Sequence, residues 1–185
     1  MGTHTSFKGH VTRSPRDGLS KIVTSREAYV VGGVDESVIE DTDTGGHRIF
    51  LALVAYHWKP SRDARDALPG LQAALRSPDK YQFQVYRSEL APVPYGQDYW
   101  PFWGNGIVGM VQQFNSSHPE HLKLLFIDGG NHSNIGLRER LDEEGVKARF
   151  EQRKSHGYRR KIHPLLPYVL EIADSQAVLF RKSRQ

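Results

Sequence analysis

Four side chains suited to acid–base or metal chemistry stand where strands are expected to end: His57, Glu89, Asp128 and His132. They form the candidate catalytic set. Asp128 closes the apolar run Leu122–Asp128 and is followed by Gly129, Gly130, Asn131, His132, Ser133 and Asn134. A carboxylate at such a strand end suits a hard divalent cation, so Asp128 is the candidate metal ligand and Mg²⁺ the candidate ion. Histidine exchanges protons near neutral pH, which fits His57 and His132 for acid–base roles. Glycines let a backbone approach a phosphate closely, and the N-terminus of a following helix favours its charge. Gly129, Gly130, Asn131 and Asn134 are therefore the candidate phosphate-binding residues. The same string is also ordinary turn chemistry, with Asn134 a plain helix cap.

The hexapeptide Phe126–Asn131, FIDGGN, resembles the opening strand of NYN-type PIN-like ribonuclease domains. The resemblance implies a metal-binding role for Asp128. It covers six of 185 residues, and too little chain follows Asn131 for the later acidic positions of such a domain. It adds to the case for phosphodiester chemistry and does not set the fold. There is no Gly-x-Gly-x-x-Gly, no Walker A loop and no Gly-x-Ser-x-Gly elbow.

The elements that must position these residues follow from periodicity. Ala28–Val31 predicts a short strand, followed by an acidic loop holding Asp35, Glu36, Glu40, Asp41 and Asp43. Arg48–His57 is nearly continuous apolar sequence, which suggests a strand covered on both faces, as in a parallel sheet. Asp63–Arg76 has helical spacing with Pro69 kinking or dividing it. Tyr81–Tyr86 alternates like a strand. Leu90–Gly104 is irregular and aromatic, with Tyr95, Tyr99, Trp100, Phe102 and Trp103 suited to stacking on bases or to core packing. Gly106–Asn115 is expected to be helical, Leu122–Asp128 a strand, 135–144 a helix ended by Gly145, and Val146–Phe150 a strand. Tyr168–Ile172 and Ala177–Arg181 read as a hairpin across Asp174-Ser175. The expected architecture is α/β: a three-layer, Rossmann-like sandwich with a mostly parallel sheet and a C-terminal β-hairpin. The expected organisation is a polar N-terminal arm over 1–25 and a single domain over 26–185.

Bulk properties narrow the function classes. Cysteine is absent, which excludes disulfides, zinc–thiolate sites and cysteine nucleophiles. No apolar run is long enough to span a membrane, and the opening residues lack the apolar core of a secretory signal. An intracellular setting, cytoplasmic or nuclear, is expected. The formal charge is +4, with a basic stretch that includes Lys147, Arg149, Arg153, Lys154, Arg159 and Arg160. These six are the candidate nucleic-acid contacts. The function expected is nucleic-acid or nucleotide binding, with metal-dependent phosphodiester hydrolysis as the reaction if the chain is an enzyme. The alternatives are a non-catalytic module recognising nucleic-acid ends or an acidic protein, and an oligomeric interaction domain.

Overall fold

The computed structural model describes residues 22–23, 26–43, 45–60, 68–95, 98, 100–128, 135–151 and 156–185. Strands β1 (Tyr29–Asp41) and β2 (Gly46–Trp58) form a long antiparallel hairpin. Helix α1 (Leu71–Arg76) and a 3₁₀ turn (Pro78–Tyr81) lead to β3 (Gln84–Glu89) and the two-residue β4 (Val93–Pro94). Helix α2 (Trp100–Ser117), β5 (Leu122–Asp128), α3 (Ile135–Glu143) and β6 (Lys147–Glu151) follow. Helices α4 (His156–Ile162) and α5 (Leu166–Lys182) end the chain.

The sheet runs β3-β2-β1-β5-β6, with β4 beside the start of β2. It is mixed, which corrects the mostly parallel, Rossmann-like expectation. β2 is antiparallel to β1, β3 and β4, and only the β1–β5 and β5–β6 pairs are parallel. Its apolar continuity has a different cause from the one expected. Ile49 to Ala55 are fully buried because helices cover both faces of β2, whatever the direction of its neighbours.

The three layers are genuine. On one face α2 and α3 bury Trp103, Ile107, Val111, Phe114 and Leu141 against Val30, Val34, Leu51 and Ile127. On the other, α5 and α1 bury Val169, Leu170, Ala173 and Ala74 against Val31, Val54, Leu124 and Phe126.

Three further expectations are corrected. The acidic loop after Val31 is the second half of β1, closed by a turn in which the Asp43 N–H donates to Asp41 Oδ1 at 3.1 Å. Gly45, at φ +64, completes that turn. The C-terminal hairpin is the single helix α5. Leu166, Val169, Leu170, Ala173, Gln176 and Ala177 recur at three and four residues, and all are buried. Helix α2 also begins earlier than expected, at Trp100, and absorbs part of the aromatic patch. Residues 63–67 of the expected Asp63–Arg76 helix, and all of the expected N-terminal arm except Ile22 and Val23, lie outside the described residues.

Gly33 sets how closely α5 can lie. A Cβ there would meet the Val169 backbone carbonyl carbon at 2.6 Å, and main chain cannot swing aside. At neighbouring Gly32 the nearest atoms, at 3.0 Å and beyond, are leucine methyl groups that can rotate. Gly33→Ala is therefore expected to lower unfolding free energy by about 3 kcal/mol, and Gly32→Ala by no more than about 1 kcal/mol. Urea denaturation of the two variants measures the difference, and equal losses would contradict the close seating of α5.

Candidate functional site: a carboxylate step at the end of β5

The pairing of β1 with β5 stops at Val34–Ile127, and β5 ends one residue later while β1 runs on to Asp41. The next rung of that ladder is Asp35 beside Asp128. On β6, Glu151 pairs in register with Asp128. Side chains alternate along strands. Asp35 thus shares the face of Tyr29 and Val31, and Asp128 that of Leu124 and Phe126, which is the α5 face. Glu36 turns to the other face, where it accepts a hydrogen bond from the buried Trp103 indole N–H at 3.1 Å.

Helix α5 runs over β1 from Val169 at Gly33 to Phe180 against Phe50, the Phe50 residue facing Ser37 in the hairpin. Asp174 comes down between those contacts, near enough for its charge to act on both Asp35 and Glu36. Asp35, Asp128 and Asp174 lie about the step on the α5 face, with Glu36 beside Asp35 on the opposite face of β1, each of them partly buried.

Burial and the neighbouring Glu36, Asp128 and Asp174 charges push the Asp35 carboxyl up to about 8, against an opposing hydrogen bond from the Glu36 N–H. Burial also raises Glu36, partly offset by the Trp103 hydrogen bond. The described cations stand to one side. Arg159 on α4, its side chain 3% exposed, reaches Asp128 at 3.4 Å and Glu171 at 3.1 Å. Arg149 pairs with Glu151. Among the described residues, no lysine or arginine pairs with Asp35, Glu36 or Asp174.

Among the described residues, no three histidine, aspartate or glutamate side chains are gathered closely enough to cage a metal ion. The carboxylates offer oxygen donors, the kind a hard divalent cation takes. Burial is the largest cause of the raised Asp35 and Glu36 carboxyls, with the neighbouring carboxylates adding to it.

The residues singled out from sequence fare unevenly. Asp128 lies within the step. Glu89, at the end of β3 and two strands from β1, is held by Arg48 and by Arg184 at 3.9 Å. His57 is opposite Val30, toward the other end of the hairpin, 2.9 Å from a Glu120 oxygen. Neither is brought to Asp128. Gly129, Gly130, Asn131, His132, Asn134, Arg153 and Lys154 lie outside the described residues. Lys147 pairs with Asp142 at 2.8 Å, Arg160 is exposed, and Arg159 is buried within the site instead of lying on a solvated stripe.

Sequence reasoning missed Asp35, Glu36 and Asp174. Two signals were present. Val38 and Ile39 continue the strand beyond the acidic pair, and Asp174 sits inside a helical apolar pattern where the interior is otherwise uncharged.

Comparison with solved structures places the architecture. The chain is similar to ribonuclease HII of Archaeoglobus fulgidus, solved in complex with PCNA, with a TM-score of 0.53 and 12% identity over 83% of this chain and 73% of that one. It is also similar to ribonuclease H2 of Pyrococcus horikoshii OT3, with a TM-score of 0.48 and 13% identity over 83% and 72% of the two chains. The first likeness shows a shared α/β fold. No protein family's sequence pattern matches the chain, and no curated protein matches it by sequence.

The raised Asp35 carboxyl gives a signed stability prediction. An unfolded Asp35 ionises near 3.8, whereas the folded one keeps its proton to about 8. Between those values the native state binds a proton that the unfolded state lacks, so this group's contribution falls as pH rises. Asp35→Asn is expected to stabilise the protein in EDTA by a few kcal/mol at pH 8, with the gain vanishing near pH 4. Thermal or urea unfolding across that range checks it, and a pH-independent effect would contradict the placement of Asp35.

Proposed function

We propose that this chain is a divalent-metal-dependent phosphodiesterase that acts on nucleic acid. The observation that carries the reading is the grouping of Asp35, Asp128 and Asp174 at the sheet step, with Glu36 beside Asp35 on the opposite face of β1. The fold shared with a ribonuclease HII agrees with it.

Asp35, Asp128 and Asp174 would supply ligands to the cation, Mg²⁺ or Mn²⁺ by the hardness of their oxygens. A bound divalent ion supplies a Lewis acid that polarises phosphoryl oxygens and offsets charge in an in-line displacement. The chain's own residues do the rest. Trp103 fixes Glu36 through its indole N–H, and Arg159 fixes Asp128. The end of β5 leaves the Asp35 side of β1 without a neighbouring strand, so a backbone phosphate can enter there. Arg160, with Lys147 and Arg149 on the edge strand β6, would attract the polyanion in a salt-dependent way.

The test is cleavage of labelled RNA, DNA and RNA–DNA duplexes with Mg²⁺ or Mn²⁺. Asp35→Asn, Asp128→Asn and Asp174→Asn should each lower turnover by about two orders of magnitude or more. His57→Ala, away from the step, should leave it nearly unchanged. Salt-dependent binding without turnover under either metal would overturn the enzyme reading in favour of a binding module.

A further inference from the structure

Helix α5 lies over the sheet with two unlike flanks. On one, the Tyr168 hydroxyl donates to the Pro69 carbonyl at 2.6 Å, just ahead of α1, and Gln176 accepts a hydrogen bond from Arg87 of β3. On the other, Glu171 holds Arg159, which reaches across to Asp128 on β5. Helical residues three or seven apart share a face. Asp174 is three residues beyond Glu171 and Arg181 seven beyond Asp174, so all three occupy the β5-facing flank.

Strand β5 ends at Asp128, while β1 continues to Asp41 with no partner on that side among the described residues. Phe180, the residue before Arg181, meets Phe50, which pairs with Ser37 two residues past Asp35. Arg181 is therefore placed above the unpaired side of β1, beyond the carboxylates. Seven residues of helical rise set it about 10 Å along α5 from Asp174.

Arg181 is half-buried, and its Nε is shut off from solvent with no hydrogen-bond partner. Among the described residues no carboxylate pairs with it. A cation in the last turn of a helix offsets the helix dipole, which accounts for the exposed Lys182. It does not account for a guanidinium donor buried without an acceptor, which costs free energy until one arrives. Arginine keeps its charge when buried and presents a planar fork of donors that matches phosphate.

We propose that Arg181 binds a backbone phosphate of a nucleic-acid strand that passes over the step. The contacted phosphate is a neighbour of the one at the carboxylates, and the strand lies along the unpaired side of β1 beside the C-terminal half of α5. The proposal rests on the nucleic-acid reading above and deepens it, by giving the strand a path on the β1 side of the step as well as the attraction from β6.

The experiment is fluorescence anisotropy of labelled RNA, DNA and RNA–DNA duplexes with the full chain, in EDTA and again with Mg²⁺ on ice, over a range of KCl. Arg181→Met keeps an apolar stem and removes the charge and donors. It should weaken binding about tenfold at low salt and make the dependence of log Kd on log salt shallower by about one. Arg181→Lys should keep the wild-type slope and recover part of the affinity. Arg138→Met, on α3 at the opposite face of the sheet, should change neither. A folded Arg181→Met with wild-type affinity and slope overturns the proposal and leaves the nucleic-acid reading standing. Tighter binding of polyglutamate than of any nucleic acid, lost in Arg181→Met, overturns it in favour of an acidic protein partner. If Arg181→Met does not fold, Arg181→Gln takes its place with the same expectations. Wild type that binds none of the nucleic acids under either condition overturns both readings.

Discussion

The close seating of α5 on the backbone of β1 is the contact from which the site follows. Gly33 presents no side chain, so Val169 rests directly on the strand. The helix then runs on over β1 toward Phe50, where Phe180 meets that ring edge to face at 5.8 Å. Held at both contacts, α5 has little freedom to shift along or away from the strand. Asp174 lies between the two anchors, and its position over Asp35 is inherited from apolar packing. A side chain at position 33 would lift the helix, and the carboxylates would separate without any change to them.

The same packing creates an electrostatic burden. Four carboxylates share a partly buried step, and the folded protein answers by holding Asp35 protonated well above its ordinary range. Arg159, buried between Asp128 and Glu171, relieves one side only. A cation bound there would offset this burden, because ligand binding to the native state returns stability. Burial and charge pairing are strained together here, whereas the described parts of both helical layers pack apolar cores on each face of the sheet.

Much of the fold was legible from sequence because it depends on local pattern. Leu122–Asp128 and the helix ended by Gly145 have strong periodicity and a glycine at φ +74 where a left-handed residue belongs. Strand direction was not legible, because β2 is apolar throughout from burial on both faces, a property that parallel and antiparallel strands share. The C-terminal helix was misread because Asp174-Ser175 has turn composition, and only packing on Gly33 makes a helical carboxylate sensible there. Of the site, Asp128 could be found because a strand ends on it. Asp35 and Glu36 could not be told from a solvated acidic segment, since nothing local announces that β5 and α5 will lie beside them. His57 was grouped with Asp128 on an assumed common edge, but β2 runs antiparallel to β1 and ends at the opposite edge; Glu89 does share Asp128's edge, yet on β3, three strands from β5.

The central claim is that the carboxylate step is a cation site. Anomalous diffraction from crystals of the full chain grown with Mn²⁺ tests it most directly. The account predicts a peak at the step, beside Asp35 and Asp128. No peak at the step, or a peak only among surface histidines, would contradict it.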